Sequence, residues 1–414
     1  MGELKPGTLV DLTCTGQVKV EKELGRGGQG IVYSCEFQGN KYALKWYTKS
    51  YSDAFYNNLK SNVDAGPPSK SKAFLWPLML TKKQYGSFGY IMQLRPPEYK
   101  EFGDFLLAKA RYSSVSAILN TAFQMCEGFK HLHLNGYSYQ DLNDGNFFIN
   151  PQNGDLLICD NDNVTAQGEN LGILGKMRYM APEVVLGKLP DKYSDYFSLA
   201  IMLFRLFFRD HPLEGLKVLS VPCMTEKGEK KYYGNEPLFI YDKDCKDNLP
   251  VRGVHVNVIR LWPLYPDILR NAFIEAFSQI NLKNPGDRWI ESRWEKIFIE
   301  LRNILIISYE GKEIFLDSGR KAQISIKTSN HGTILLSPGK KVFLGTSKMP
   351  VAQVCTTKDE PGLWALKNME KEKWVVETSS GKLKEVSPGG FMPTKPGLKI
   401  TFSDGEKAIV DIIN

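Results

Sequence analysis

The spacing of the apolar residues changes twice along this chain, and these changes limit the folds that it can adopt. At the beginning, apolar and polar residues alternate between Gly and Asn turns, as in "GIVYSCEFQGNKYALKWY", which predicts antiparallel hairpins. Through the middle, apolar residues recur every three or four positions, as in "VSAILNTAFQMCEGFKHLHLNG", which predicts helices. Short alternating segments then return. The sequence therefore predicts an α+β fold, with a β-rich region at 1–95, an α-rich region at 96–305 and a small all-β sandwich at 306–414.

Individual segments predict particular elements. "SDAFYNNLKSNVDAG" predicts a helix that is capped by Ser52 and ends at Gly66. "FSLAIMLFRLFF" is too short for a membrane span and contains an arginine, so we expect a helix buried in a domain core. In the last region the predicted strands are "KEIFLDS", "AQISIKT", "GTILLS", "KKVFLGT", "KWVVETS" and "LKITFSD".

Composition limits the partners and the compartment. The net charge of +7 arises from 53 basic and 46 acidic residues that are dispersed along the chain, so we expect no nucleic-acid binding. The 7 cysteines form no C-x-x-C pair, which indicates reduced thiols in a cytoplasmic protein rather than disulfides or a zinc site. The first residues lack the layout of a signal peptide, and we expect no membrane association.

The first candidate site is the glycine-rich stretch "LGRGGQGIVY". Gly25, Gly27 and Gly30 form G-x-G-x-x-G, with Val32 two positions further on, and glycines at this spacing allow backbone N–H groups to approach phosphate oxygens. A hairpin turn without a ligand is the alternative. In the next predicted strand, "YALKWY", Lys45 would pair with phosphates, whereas the alternative is a lysine that extends to solvent.

The second candidate site is "YQDLNDGN", which follows a long predicted helix. The pattern D-L-x-x-x-N places the Asp141 carboxylate, which can accept a hydroxyl proton, near the Asn146 amide, which can bind a metal. Downstream, Asp160 follows an apolar strand in "LICDNDNV", a position that suits a metal-binding carboxylate. Neither stretch satisfies the calcium-loop pattern D-x-[DN]-x-[DN]-G-x5-E.

Taken in order, these motifs resemble those of the protein kinase family over residues 15 to 300. Besides the glycine-rich loop, the strand lysine and the catalytic loop, "YMAPEVV" resembles the A-P-E motif, and "SDYFSLA" resembles the start of the central helix. "NPGDRW" supplies Arg288 as the expected partner of Glu183. The resemblance implies a two-lobed kinase fold, with the β-rich and α-rich regions as its N- and C-lobes.

The resemblance also implies a function and its residues. We expect transfer of the γ-phosphate of ATP, with Mg²⁺, to Ser or Thr hydroxyls of a protein substrate. Asp141 would be the catalytic carboxylate, Lys45 would position phosphates, and Asn146 and Asp160 would hold the metal. The nucleotide would lie against residues of the glycine-rich loop, the strand and the hinge: Gly25, Gly27, Gly28, Gly30, Val32, Ala43, Lys45, Met92, Gln93 and Leu94.

Several departures from the family pattern raise an alternative, a pseudokinase that binds nucleotide or partners without phosphoryl transfer. Tyr139 and Gln140 replace the His-Arg that precedes the catalytic aspartate, so control by an activation-loop phosphate is not expected. The D-F-G motif becomes Asp160-Asn161-Asp162. No glutamate lies between Lys45 and Glu98, so the sequence does not identify the partner of the lysine.

Two further departures suggest an exchange. Asn143 stands where Ser/Thr kinases have a catalytic-loop lysine, and Lys176 stands where they have a threonine in the P+1 loop. Because these positions face each other in the family fold, we predict that Lys176 supplies the missing charge, and the alternative is a lysine that points to solvent.

Segments such as "GYSYQDLNDGNFFI" and "LICDNDNV" resemble a bacterial branch of eukaryotic-like kinases. Members of that branch are often encoded beside a protein phosphatase and a von Willebrand A-type protein, which implies such partners in signalling. The C-terminal region is similar to the last strands of a forkhead-associated (FHA) sandwich, but Thr346 stands where that domain has its phosphate-binding arginine. We therefore expect a structural or docking sandwich rather than a phosphopeptide reader.

Overall fold

A computed structural model describes residues 2–68, 72–172, 175–316, 323–356 and 362–413. The chain divides into two compact units, which are described separately. The first unit comprises Met1–Ser113, Asn120–Val258 and Ile274–Glu291, and the second comprises Ser114–Leu119, Ile259–Phe273 and Ser292–Asn414. Within the described residues, no helix is both long and apolar enough to cross a membrane.

Strands dominate the beginning of the first unit. Its strands are β1 (Leu9–Asp11), β2 (Gln17–Arg26), β3 (Gly30–Phe37), β4 (Asn40–Tyr47), β5 (Met79–Leu80), β6 (Gly89–Gln93), β7 (Lys100–Glu101), β8 (Tyr137–Ser138), β9 (Phe147–Ile149), β10 (Leu156–Ile158) and β11 (Thr165–Ala166). The main sheet is antiparallel, in the order β1-β2-β3-β4-β6-β5. Its register places Lys45 opposite Val32 and Ala43 opposite Met92, so residues of the glycine-rich loop and of the hinge border the same strand.

The helices are α1 (Asp53–Ala65), α2 (Phe102–Leu106), α3 (Val115–Leu134), α4 (Pro182–Val185), α5 (Lys192–Phe208), α6 (Leu216–Leu219), α7 (Glu226–Glu229), α8 (Val256–Leu261), α9 (Asp267–Ala276), α10 (Gln279–Lys283) and α11 (Glu291–Ile304). Helix α1 confirms the predicted cap, since the Ser52 side chain accepts a hydrogen bond from the Phe55 N–H and Gly66 ends the helix at a positive φ of 73°. Helix α5 is buried along most of its length, as its apolar sequence predicts. It begins with a capping box between Asp191 and Ser194.

The second unit contains the C-terminal strands, and the predicted change to short strands is confirmed. They are β12 (Leu305–Ile307), β13 (Glu313–Phe315), β14 (Gln323–Thr328), β15 (Thr333–Leu335), β16 (Lys341–Val342), β17 (Ala352–Thr356), β18 (Trp364–Asn368), β19 (Trp374–Glu377), β20 (Leu383–Val386), β21 (Phe391–Pro393), β22 (Lys399–Thr401) and β23 (Lys407–Ile413). Residues 317, 318 and 322 of the predicted strands lie outside the described part of the chain.

Most of these strands form two antiparallel sheets. One has the order β15-β14-β23-β22-β19-β20 and the other the order β16-β17-β18-β21. Inward-facing residues of both sheets share one apolar core, which includes Ile326, Val354, Trp374 and Val410. Helix α11 belongs to the same unit from Ser292 onward. Its last turn is bound by Lys340, whose side-chain nitrogen donates to the Asn303 carbonyl oxygen at 2.7 Å.

Candidate active site

Lys45 lies at the centre of the site. Its side chain is only 5% exposed, which excludes the alternative of a lysine that extends to solvent. The ammonium donates to Asp160 Oδ1 at 3.2 Å, to Asp162 at 3.0 and 2.9 Å, and to Gln29 Oε1 at 2.8 Å. Burial acts to lower the pKa of Lys45, but the charges of Asp160 and Asp162 outweigh it and hold the pKa above its ordinary value.

Asp162 is the residue that the sequence analysis missed. Its side chain is fully buried, and each of its oxygens accepts a bond from the Lys45 ammonium and one from a tyrosine. The Tyr47 hydroxyl donates to Oδ2 at 2.5 Å, and the Tyr90 hydroxyl donates to Oδ1 at 3.2 Å. Burial, and secondarily the Asp162 charge, raise the pKa of both tyrosines well above the usual value, so they remain hydrogen-bond donors.

The residues around Asp162 are also bound to the segment before β5, to β10 and to the glycine-rich loop. Asn161 replaces the apolar Phe of the family motif and donates to the carbonyl oxygens of Leu75 and Ile158, each at 2.9 Å. Asn163 accepts a bond from the Gln29 side chain at 3.1 Å. The segment 160–163 is therefore held by polar bonds from each of its four side chains.

The glycine-rich loop connects β2 and β3. A Cβ atom added to Gly25, Gly27 or Gly28 would meet no atom within 4 Å, so the backbone there is open to a ligand. Gly30 is different, because an added Cβ would collide with the Trp46 carbonyl oxygen of the neighbouring strand. The glycine at position 30 is therefore required by strand packing, whatever its part in phosphate binding.

The predicted nucleotide-binding residues beside this loop share one apolar cluster. Ala43 and Met92 are buried members of it, and Val32 and Leu94 pack against it. Gln93 is exposed at the end of β6. An apolar cluster of this kind is the surface that binding of a flat base requires.

The catalytic-loop residues form a second hydrogen-bonded group. The Asn143 amide donates to Asp141 Oδ1 at 2.8 Å, and the Asn146 amide donates to the Asp141 carbonyl oxygen at 2.9 Å. Burial raises the pKa of Asp141 to about 6, although the bond from Asn143 and the charge of Lys176 act to lower it. A carboxylate with a pKa near neutrality is suited to accept a proton from a hydroxyl group.

The metal-ligand prediction rests on Asn146 and Asp160. Because Asn146 uses its amide nitrogen on the Asp141 carbonyl, its amide oxygen is left on the other side of the group. The Asp160 side chain is 36% exposed and follows the buried strand β10. An amide and a carboxylate oxygen fit Mg²⁺, which uses few protein ligands and completes its shell with water and phosphate oxygens.

Lys176 lies beside the catalytic loop. Its ammonium is 3.4 Å from Asp144 Oδ1, while the side chain keeps 57% of its exposure. Gly175 next to it has a φ of 84°, and a Cβ there would lie 3.1 Å from the Gln140 carbonyl oxygen, so the two loops approach closely. Lys176 is thus paired with Asp144, the residue next to Asn143. Asn143 is the position whose missing charge Lys176 is predicted to supply.

Gln140, at the position of the family arginine, is the centre of an uncharged network. Three acceptors surround its amide nitrogen, which has two N–H groups: Ser138 Oγ at 2.9 Å, Thr165 Oγ1 at 2.7 Å and the Glu169 carbonyl oxygen at 2.6 Å. Its amide oxygen accepts a bond from Asn170 at 2.8 Å. Residues 173 and 174 of the predicted activation segment lie outside the described residues.

Two carboxylates, Glu183 and Asp195, accept hydrogen bonds that fix segments near the site. The predicted pair is confirmed, since the Arg288 guanidinium binds both carboxylate oxygens of Glu183, at 2.7 and 2.6 Å. Asp195 accepts the backbone N–H groups of Tyr139 at 2.6 Å and of Gln140 at 2.9 Å, which fixes the start of the catalytic loop on α5.

Comparison of the sequence with known proteins finds kinases among its relatives. Putative mitogen-activated protein kinase kinase kinase 7-like of Drosophila melanogaster is 26% identical over 242 residues, which are 55% of this chain and 58% of the relative. G protein-coupled receptor kinase 2 of Caenorhabditis elegans is 25% identical over 251 residues, 56% of this chain and 33% of the relative. Cyclic GMP-binding protein C of Dictyostelium discoideum is 25% identical over 229 residues, 48% of this chain and 9% of the relative.

The matches therefore span less than two thirds of the length of these curated relatives. The family described as protein kinase domain matches residues 18–227, which are just over half of the 414 residues. This match includes the glycine-rich loop, Lys45, the catalytic loop and the segment that begins at Asp160. The chain belongs to the protein kinase family.

Proposed function

We propose that this chain is an active protein kinase that transfers the γ-phosphate of Mg-ATP to Ser or Thr hydroxyls of protein substrates. The observation that carries the proposal is the hydrogen-bonded site in which a buried Lys45 meets Asp160 beside an open glycine-rich loop. Membership of the protein kinase family supports the reaction class. Phosphoryl transfer depends mainly on positioning and charge, and these are what the residues of this site supply.

The residues divide the work. Lys45 binds and orients phosphate oxygens, and the Gly25–Gly28 backbone covers them. Asn146 and Asp160 would hold Mg²⁺, which would supply positive charge to neutralise the phosphates. Asp141 orients the substrate hydroxyl and accepts its proton, and Asn143 fixes the carboxylate through the 2.8 Å bond to Oδ1. Lys176 adds charge from the facing loop.

The finer parts of the proposal concern context. We propose a role in bacterial signalling in the cytoplasm, with a protein phosphatase and a von Willebrand A-type protein as partners. We also propose that residues 1–95 and 96–305 act as the kinase lobes and that 306–414 is a docking sandwich of FHA-like type. The sandwich strands around a Trp374 core support the last point, and the missing arginine at Thr346 argues against phosphopeptide binding.

The test is Mg²⁺-dependent transfer of labelled γ-phosphate to the protein itself or to a basic protein substrate. Asp141→Asn keeps the side-chain shape and removes the proton acceptor, so transfer should fall by about 10²-fold or more while ATP binding persists. ATP with Mg²⁺ should raise the melting temperature, and Asp160→Ala should remove the metal-dependent part of that rise.

The outcomes separate the proposal from the pseudokinase alternative. Nucleotide binding without any transfer by the wild-type chain would favour the pseudokinase. Unchanged transfer in Asp141→Asn would show that Asp141 is not the catalytic carboxylate. Phosphosite mapping by mass spectrometry identifies the acceptor, and phosphotyrosine alone would refute the Ser/Thr assignment.

A further inference from the structure

We propose that Asp162 is the positioning residue for Lys45 and replaces the carboxylate that the family takes from the helix after the lysine strand. The lysine would then be fixed from the segment that also carries the metal ligand, and its orientation would not depend on the position of α1. This inference rests on the proposed function only for its catalytic consequence. The ion pair itself is tested independently of transfer.

The geometry favours Asp162 over Asp160 as the permanent partner. Both Asp162 oxygens lie within 3.0 Å of the Lys45 ammonium, whereas Asp160 offers one oxygen at 3.2 Å. Asp162 has no exposed surface, while Asp160 is partly open. Since Asp160 is also the candidate metal ligand, a bound cation would compete with Lys45 for it, and Asp162 would remain to balance the buried ammonium.

The surroundings of Asp162 are those of a stable buried ion pair. A carboxylate taken out of water is stable only when its remaining lone pairs are also satisfied. The hydroxyls of Tyr47 and Tyr90 supply these bonds from two neighbouring strands of the sheet, β4 and β6. Lys45 itself lies on β4, so the ammonium, both hydroxyls and the carboxylate are held by one rigid framework.

Helix α1 supplies amides instead of a carboxylate. Its two acids are exposed, and Asp53 pairs with Lys83 at 2.8 Å with a side chain that is 86% exposed. The residues that reach the site are Asn58 and Asn62, whose amides both donate to the Val164 carbonyl oxygen, at 2.9 and 2.8 Å. The helix therefore contacts the backbone of the Asp162 segment rather than the lysine. Movement of α1 would change those amide bonds and the contact of Phe55 with the Tyr47 ring, whereas the bonds of the α1 amides do not involve the Lys45 ammonium.

The first experiment is a double-mutant cycle read by melting temperature. Asp162→Asn leaves a buried ammonium with a weaker partner, and we expect a loss of about 10 °C. Lys45→Met leaves a buried carboxylate and should cost a similar amount. The loss of melting temperature in the double variant should be smaller than the sum of the two single losses, because neither charge is then left unpaired. Asp53→Asn is the matched control: it removes a carboxylate from α1 and should show no coupling to Lys45→Met.

The second experiment separates positioning from general damage. Adenosine has no phosphates, so its affinity reports the pocket for base and ribose, while the affinity for ATP also reports Lys45. In Asp162→Asn we expect the Kd for ATP to rise about tenfold, the Kd for adenosine to stay within about twofold, and kcat to fall by about 10². Asp162→Glu, which keeps the charge, should recover part of the loss of ATP affinity.

Additive losses in the cycle would overturn the proposal, as would equal weakening of ATP and adenosine. Coupling of Lys45→Met to Asp53→Asn would return the role to α1. If Asp162→Asn alone is insoluble, the double variant should still fold, and its failure to do so would also count against the ion pair. A wild-type chain that binds ATP but transfers no phosphate would refute the proposed function alone, since the cycle and both affinities remain measurable.

Discussion

His133 provides the most direct test of how charge is arranged beneath the catalytic loop. Its ring lies between two carboxylates, with Nδ1 2.5 Å from Glu291 Oε1 and Nε2 3.1 Å from Asp195 Oδ2. Burial acts to lower the pKa of His133, but the hydrogen bonds to Asp195 and Glu291 prevail and raise the pKa to about 9, above the ordinary 6.5. The imidazole should therefore be protonated at neutral pH.

The size of the effect follows from this difference. A rise from 6.5 to about 9 corresponds to about 3 kcal/mol, at about 1.4 kcal/mol for each pH unit. Because the folded pKa is the higher one, this stabilisation is complete below about pH 6.5 and is lost as the pH rises through about 9. Asp195 also holds the backbone of Tyr139 and Gln140, so the loss should be felt in the catalytic loop.

Native-state hydrogen exchange measures this locally. The free energy of opening at the Tyr139 and Gln140 amides, corrected for intrinsic exchange, should fall by about 3 kcal/mol between pH 6 and pH 9.5. Amides of β14 in the sandwich serve as the internal control for general effects of alkali. His133→Gln keeps a polar side chain and cannot titrate, so its opening free energy should be low and independent of this pH range. A wild-type protein with pH-independent opening would refute a protonated His133.

Three other measurements test the site. Because the Asp141 carboxyl has a pKa of about 6, kcat/KM should fall tenfold per pH unit below pH 6, and a profile that is flat to pH 5 would contradict this. Lys176→Thr should lower transfer by about 10² to 10³ with ATP affinity little changed, and adding Asn143→Lys should restore part of the loss; wild-type turnover in Lys176→Thr would show that the lysine serves only its surface contact. Gln140→Ala should lower transfer and increase proteolysis after residue 165. Gln140→Glu keeps the size of the side chain but removes its N–H donors, so it should have the same effects; unaffected variants would mean that the amide network is dispensable.

The sequence predicts those residues of the site whose type and spacing within a motif indicate a particular role. Lys45 in a strand after a glycine-rich loop, and Asp160 after an apolar strand, are of this kind. Asp162 could not be identified in the same way, because it stands where the family has glycine and because 117 positions separate it from its partner. The sequence did contain a signal for Asp162, because the strand lysine had no helix glutamate to balance its charge and an additional carboxylate stood two residues after Asp160.

The fold divides similarly into predictable and unpredictable parts. Alternation of apolar residues predicted the C-terminal strands because it decides which side chains face a core. Alternation does not decide which strands pair. The pairing of β14 with β23, near the opposite ends of the sandwich sequence, depends on packing of the whole core.

Gln140 is another residue whose role the sequence does not predict. Its amide could have pointed to solvent, and its role depends on the approach of the Glu169 carbonyl oxygen, which no local pattern encodes.

Thr165 connects the replacement of the family arginine by Gln140 with the absence of control by an activation-loop phosphate. It is the one hydroxyl residue of the sequence from Asn161 to Arg178, and so the obvious candidate for an activating phosphate. Its side chain is buried, accepts the Gln140 amide and donates to the Glu169 carbonyl oxygen at 3.1 Å. A phosphate there would bring about two negative charges into a site whose hydrogen-bonding partners are neutral, at a high desolvation cost and without the arginine that normally repays it. With Gln140 in place of that arginine, the hydroxyl itself completes the network, and the segment is held without a phosphate.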